Sequence, residues 1–424
     1  MDFSQLLKPY AEKDTISKFL EHLNDEPVSS LLLNPKLMGI SLFPFEKELR
    51  QDKYDDRLYR FNKTKVRLGK SLEHFAGAFY LLDPSSALIS YYLDDLVKPD
   101  PLVLDMCAAP GGKSIAFSFR RKDSLIISND ISYTRALEIV KNTDRLGLSN
   151  IATMSMDPMK IPSRFDSSFD LILLDAPCSG SGMIRKEEKM KEDWSIDKVE
   201  RLLPIQADLL EKAYQLLKKD GIICYSTCSL SVEEDENQVE EFLKKHTDIE
   251  EIKINIKHKD VLPGKYGYHL IPGVFDGEGI YFSILRKKSG DSYSFREAKY
   301  QGKENGNSLH TVSYKKNTFL INRFYSELES LPFIVIGTKI QDLTEHPKCP
   351  YDHSYSKVGD FPTIEITREE AIRYAKGEEI QLVKNDSEDG LKVCRYGDLK
   401  LGFGKKVKNK FKNYLPKGLR CELI

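Results

Sequence analysis

The sequence predicts an α/β protein built on a largely parallel, doubly wound sheet, with a small unit ahead of it and a mixed domain behind. Three observations carry this. Short apolar runs alternate with longer amphipathic stretches from residue 101 to about 286, the pattern of strands covered by helices on both faces. The first run opens into a turn of small residues, Cys107-Ala108-Ala109-Pro110-Gly111-Gly112, suited to a ligand that needs close backbone approach. Asp130, Asp157, Asp175, Cys178 and Cys228 each stand just after an apolar run, at the edge where a doubly wound sheet keeps its ligands.

Composition sets the frame. At 424 residues the chain is long enough for two or three domains. No apolar stretch reaches the ~20 residues that span a bilayer, so no membrane association is expected. The opening MDFSQLLKPYAEKD lacks an apolar secretion core. Seven scattered cysteines argue for reduced thiols in the cytoplasm rather than a disulfide framework. The net charge of −1 gives no global sign of a polyanion partner, but the charge is uneven. Arg60, Lys63, Lys65, Arg67 and Lys70 lie together without an acid, as do Lys405, Lys406, Lys408, Lys410, Lys412, Lys417 and Arg420, the latter interleaved with Phe411 and Tyr414. Such strips suit phosphate contact and base stacking, or are merely solvated faces.

Residues 1–97 start with helical periodicity (Leu6, Leu7, Tyr10, then Ile16, Phe19, Leu20, Leu23), pass an irregular stretch over 34–44 and the first basic strip, and end in a strand at 79–82 and a helix capped by Asp83. Residues 98–288 form the α/β core. Its strands are expected at 102–106, 125–128, 151–154, 171–174, 222–225 and 280–285, and its helices at 131–146, 198–217 and 232–245. The polar stretch 289–307 reads as a linker. Residues 308–424 read as a mixed domain of short strands, among them 333–337 and 363–366, with one helix opened by a Thr367/Glu370 capping box and closed by Gly377.

Gly111-Gly112-Lys113-Ser114 invites a P-loop reading, but Cys107 occupies the position where that motif needs its first glycine. A cofactor without a triphosphate fits better. Asp130 falls where such folds bind a ribose hydroxyl, and Asp157 suits the surroundings of an adenine; either acid alone reads equally as a helix cap. A lone cysteine is ordinarily a small core residue. Cys178 in Asp-Ala-Pro-Cys and Cys228 in Ser-Thr-Cys-Ser instead follow apolar strands at the ligand edge, flanked by small polar residues, which favours reactive thiols. A thiolate, a neighbouring aspartate and an adenosyl cofactor suit methylation at a pyrimidine ring carbon. There, addition of a nucleophile at C6 makes C5 reactive, and a hydrogen-bonding acid stabilises the charge that develops on the ring.

These residues carry a family resemblance. Asp105-Met-Cys-Ala-Ala-Pro-Gly-Gly-Lys113, Asp175-Ala-Pro-Cys178-Ser-Gly-Ser-Gly-Met-Ile-Arg185 and Tyr225-Ser-Thr-Cys228-Ser resemble the NOL1/NOP2/Sun family of RNA cytosine-C5 methyltransferases, as do His74-Phe-Ala-Gly77, Asp83-Pro-Ser85 and Asp276-Gly-Glu-Gly279. The tail from Leu401 to Arg420 is similar to the PUA-like domain of the bacterial RsmF-like subgroup, which acts on 16S rRNA. The resemblance implies a Rossmann-like class I methyltransferase core using S-adenosylmethionine. It also implies Cys228 as nucleophile and Cys178 as the cysteine that assists release, with Asp175 and Lys113 approaching the target cytosine. Cys107, Ala108, Ala109, Pro110, Gly111, Gly112, Lys113, Asp130, Asp157 and Asp175 would hold the cofactor. Arg60, Lys63, Arg185, Lys405, Lys406, Lys408, Lys412, Lys417 and Arg420 would meet RNA in the 16S rRNA or small subunit, near the decoding region. A monomer without metal or DNA partner is expected. His346, Cys349 and His353 offer three metal ligands without a fourth and read as incidental. The other readings are the same chemistry on tRNA or another rRNA site, and a non-catalytic ribosome-assembly factor. Two departures stand out: Gly273 where the family has histidine, and Phe403 where it has tryptophan.

Overall fold

The computed structural model describes residues 3–37, 39–40, 45–185, 192–298, 309–342, 349–382 and 388–423. Its centre is a ten-stranded sheet. Five strands run parallel: β1 (Leu102–Asp105), β2 (Leu125–Asn129), β3 (Ile151–Met154), β4 (Phe169–Asp175) and β5 (Leu217–Thr227). Antiparallel strands β6 (Ile280–Lys287) and β7 (Phe333–Ile336) flank them, giving the order β6-β5-β4-β1-β2-β3-β7. β1, β2 and β3 are buried along their whole length, and their apolar openings, Leu102–Leu104, Leu125–Ile127 and Ile151–Ala152, suit strands covered on both faces. β1 pairs with β2 on one side and β4 on the other. Strand order therefore reverses between β1 and β4, and the loops leaving them part to open a crevice at their carboxyl ends.

The covering helices are α1 (Pro84–Asp94), α2 (Gly112–Arg120), α3 (Tyr133–Leu146), α4 (Ile196–Leu216) and α5 (Glu236–Lys245). Local chemistry sets their ends. The Asp83 side chain accepts from the Ser85 amide ahead of α1, the Ser132 hydroxyl accepts from the Arg135 amide ahead of α3, and Gly147 closes α3 at φ +64°.

Ahead of the core, strands Arg50–Gln51, Leu58–Asn62, Val28–Leu33 and Phe79–Leu82 make an antiparallel sheet in that order. The strand Leu58–Asn62 runs through part of the first basic strip. Its alternation is hidden because Arg60 points inward with Leu58.

The stretch 289–307 does not hang free where it is described. Ala298 is buried, Phe295 packs on the core, and the Tyr293 amide donates to the Ser167 carbonyl at 2.7 Å. Residues 299–308 lie outside the described residues. The region from 308 divides in two. Strands His310–Tyr314, Asn317–Ile321 and Thr338–Asp342 form a small sheet beside β7, and Val312, Phe319, Phe324 and Leu331 share one apolar cluster with Leu104, Leu125 and Ile172. From Thr363 a separate five-stranded sheet begins, with the Thr367/Glu370 capping box opening helix Arg368–Ala375. Its core residues Ile364, Tyr374 and Phe411 pack with Leu31, Phe61, Leu72 and Phe79 of the N-terminal unit.

Candidate active site

Five carboxyl ends meet around the crevice. The loop after β1 is drawn tight by its own backbone: the Ala108 amide donates to the Asn129 carbonyl and the Gly111 amide to the Ala108 carbonyl, both at 2.7 Å. Gly111 sits at φ +107°, which favours glycine. A Cβ on Gly112 would meet nothing within 4 Å, so the backbone there lies open. Asn129 staples this loop to the next but one, its side-chain amide donating to the Met106 and Met156 carbonyls at 3.0 and 2.9 Å.

Of the acids, Asp130 is turned inward. Its oxygens accept from the Ser132 and Ala109 amides at 2.9 and 3.3 Å, and Arg135 lies 3.5 Å away. Asp157 is partly exposed and caps a short 3-10 turn through the Met159 amide. Asp105, the last residue of β1, is buried; Ser114 Oγ donates to one oxygen at 2.7 Å, and the other has no partner among the described residues. Burial lifts its carboxyl to about 7. An orphaned buried acceptor beside an open glycine backbone, at the end of β1, fits a polar cofactor carrying donor groups.

Lys113, the first side chain of α2 beyond its opening glycine, is buried and bridges to Asp175 at 2.7 Å, while Ser226 Oγ donates to the other Asp175 oxygen at 2.8 Å. Burial opposes the Lys113 charge, yet the Asp175 carboxylate outweighs it and holds the ammonium above its usual range. Lys113 pins the half-exposed carboxylate at the end of β4.

Cys178 and Cys228 face each other across the ends of neighbouring strands β4 and β5. Their Sγ atoms are 2.9 Å apart and both thiols are free. The Cys228 amide donates to Cys178 Sγ at 3.2 Å. The hydrogen bond with Cys228 and burial raise the Cys178 thiol well above its usual range. Cys107 is likewise held protonated, its thiol pushed up to about 12 by burial and the acids around it.

The residue that joins the two thiol loops is not apparent in the sequence. Glu234 is fully buried and accepts from four groups: the Ser179 amide at 2.8 Å, Ser179 Oγ at 2.5 Å, Ser229 Oγ at 2.7 Å and Gln206 Nε2 at 3.0 Å. Ser179 follows Cys178 and Ser229 follows Cys228, so one carboxylate fixes both. Trp194 Nε1 adds a bond to Ser179 Oγ at 3.1 Å. Glu233-Glu234-Asp235-Glu236 reads as a solvated acidic run, and only the tertiary fold turns Glu234, Asp235 and Glu236 inward. Gly182 and Gly279 complete the lacing: the Gly182 amide donates to the Cys228 carbonyl at 2.8 Å and the Gly279 amide to the Gly182 carbonyl at 2.9 Å. A Cβ on Gly182 would lie 2.2 Å from the Gly279 oxygen.

The basic residues separate. Lys63, Lys405, Lys408, Lys412, Lys417 and Arg420 are exposed. Arg60, Arg185 and Lys406 are not available to a surface ligand. Arg60 is buried against Asp52, Arg185 donates to the Gly277 carbonyl at 2.6 Å and pairs with buried Glu278, and Lys406 is buried beside Asp389. Lys406 follows from strand alternation: Lys405 and Lys412 are cross-strand partners on the outer face, while Lys406 and Phe411 pair on the inner one. Phe403 is also a core residue, edge-on to Phe361, and not part of an exposed aromatic face. Cys349 packs with Val393 and Phe403; His346 lies outside the described residues. Gly273 has a steric explanation: at φ +87° a Cβ would approach the Lys18 carbonyl to 2.5 Å.

Comparison with known proteins agrees with this layout. Residues 95–286 match a family described as 16S rRNA methyltransferase RsmB/F, and residues 361–421 match the methyltransferase RsmF PUA domain. The ribosomal RNA small subunit methyltransferase F of Aliivibrio fischeri is 30% identical over 84% of this chain and 81% of its own, and that of Aeromonas salmonicida is 29% identical over 84% and 81%. Among solved structures, a methyltransferase homologue from Pyrococcus horikoshii superposes with TM-score 0.54 at 27% identity, covering 65% of this chain and 91% of that one. NSun6 from the same organism gives 0.57 at 19% identity over 68% and 98%, a likeness of fold.

Proposed function

The chain belongs to the RsmB/F family of 16S rRNA methyltransferases, and we propose that it methylates cytosine C5 in small-subunit rRNA, near the decoding region, by covalent catalysis through Cys228. It is an S-adenosylmethionine-dependent RNA methyltransferase. The observation that carries the mechanism is the pair of free thiols 2.9 Å apart beside the Lys113–Asp175 bridge.

Cys228, as thiolate, adds to C6 of the cytosine; a C–S bond forms and the C5–C6 π pair moves to C5. Asp175, fixed by Lys113 and Ser226 with its carboxylate half-exposed, hydrogen-bonds the ring where charge develops. S-adenosylmethionine, when bound, supplies the electrophilic methyl group. The loop Cys107–Gly112 with Lys113, Asp130, Asp157 and Asp175 would hold that cofactor, and Asp130 also braces the loop through the Ala109 amide. Loss of the C5 proton to solvent then returns its electron pair to the ring and expels Cys228 as thiolate, a release that the neighbouring Cys178 assists. The exposed Lys63, Lys405, Lys408, Lys412, Lys417 and Arg420 meet the RNA backbone. The enzyme acts as a cytoplasmic monomer.

The test is tritium transfer from labelled S-adenosylmethionine to small-subunit RNA or particles, with the product base analysed. Label in 5-methylcytosine from the intact chain, and none from Cys228→Ala with cofactor binding retained, is expected. Appreciable turnover by Cys228→Ala refutes the nucleophile.

A further inference from the structure

Away from the crevice, three parts of the chain bring cations together. Lys36 follows strand Val28–Leu33 of the N-terminal unit, Arg145 lies in the last turn of α3, and Lys357 and Lys400 come from beyond β7. They line one cavity of about 300 Å³, and among the described residues the only carboxylate in its wall is the exposed Asp398. A neighbouring cavity of about 410 Å³ shares Lys36 and Lys357 and adds Lys122.

The cations are anchored by carbonyl oxygens rather than by carboxylates. Lys36 Nζ donates to the Gly147 carbonyl at 2.5 Å, Lys357 Nζ to the Lys400 carbonyl at 2.6 Å, Lys400 Nζ to the Gly359 carbonyl at 3.0 Å, and Arg145 Nη1 to the His74 and Phe79 carbonyls at 2.8 and 3.0 Å. Arg145 Nη2 is buried with no partner among the described residues. Burial above all, with Arg145 and Lys400 adding to it, lowers the Lys357 ammonium to about 7. Carbonyl bonds satisfy ammonium hydrogens without supplying a counter-charge. Converging cations around an unfilled concavity recognise a compact polyoxygen anion.

We propose that this junction is a seat for a phosphate group, held by Lys36, Arg145, Lys357 and Lys400. An RNA backbone phosphate and a free phosphoryl compound share this chemistry. The RNA source rests on the function proposed above; the phosphate chemistry does not. A phosphate bound here touches the N-terminal unit, α3 and the C-terminal region at once, and so ties the three together.

The experiment compares the full chain with the double variant Lys36→Gln/Lys400→Gln, and with each single variant should the double fail to fold. Thermal unfolding is followed in inorganic phosphate and in chloride at equal ionic strength, and binding to single-stranded RNA is followed against salt. A Tm rise in phosphate that the variants lose supports the seat. A log–log salt slope shallower by about 0.7 for each lost contact identifies the RNA backbone as its occupant; a Tm effect alone identifies a free phosphoryl compound. Variants that fold and match the wild type in both readouts overturn the proposal. Absence of methyl transfer by the wild-type chain would reject the proposed function while leaving the phosphate readout to stand or fall by itself.

Discussion

Asp105 and Lys113 bracket the turn between β1 and α2, and burial acts on them in opposite ways. Lys113 finds a carboxylate at 2.7 Å and keeps its charge. Asp105 has one oxygen without a partner among the described residues and holds its proton up to about pH 7. The sign of the resulting pH dependence follows from linkage. Below about pH 4 both folded and unfolded states carry the proton. Between there and about 7 the unfolded chain releases it and the folded one does not, so rising pH costs stability across that window. Asp105→Asn removes this dependence. Thermal melts of variant and wild type should diverge, the variant gaining, as pH rises from 5 to 7, and run parallel above; a gap that stays constant with pH contradicts the assignment. The cysteines illustrate what sequence can and cannot say at this scale. Their place after apolar strands marks both as approachable, and the structure brings their sulfurs together. That the Cys178 thiol is held well above its usual range depends on the Cys228 hydrogen bond and on burial, neither of which spacing reveals.

Among the elements, the parallel core was legible because strands buried on both faces are written as uninterrupted apolar runs, and the Thr367/Glu370 cap was legible because capping is local chemistry. What escaped depends on partners distant in sequence. Leu58–Asn62 is a strand whose inward Arg60 is paid for by Asp52, and β7 joins the sheet only because the chain returns to β3. Glu234 lies in an acidic run and becomes the brace between the two thiol loops through Ser179, Ser229 and Gln206. Glu234→Ala leaves those buried donors unmatched and should destabilise the fold by about 3 kcal/mol, with methyl transfer lost. Glu234→Gln retains an acceptor and lets the serine hydroxyls rotate to meet its amide, so it should recover most of the stability. Equal losses in denaturant unfolding for the two variants would show that the hydrogen-bond brace is not what matters.

At the scale of the whole molecule, the region after 308 is not one appendage. A cut at 308 would strip β7 and the residues around Phe319 and Leu331 from the central apolar cluster, so that truncation should yield an unstable or insoluble core. A cut near 361 removes the five-stranded sheet and leaves the β3–β7 edge intact, although it bares Leu31, Phe61 and Phe79 of the N-terminal unit. Chains ending at 360 should therefore bind S-adenosylmethionine while binding RNA more weakly and with a shallower salt dependence, whereas chains ending at 307 should not. Calorimetric titration with the cofactor separates the two cases, and equal binding by both truncations contradicts this division of the chain.

The central claim is that Cys228 and Cys178 divide addition from release. It is tested most directly by incubating Cys178→Ala with small-subunit RNA and S-adenosylmethionine and running the mixture on a denaturing gel. The account predicts a slow-migrating protein–RNA adduct that survives denaturation and disappears in Cys178→Ala/Cys228→Ala. No adduct with the single variant, or one that persists without Cys228, contradicts it.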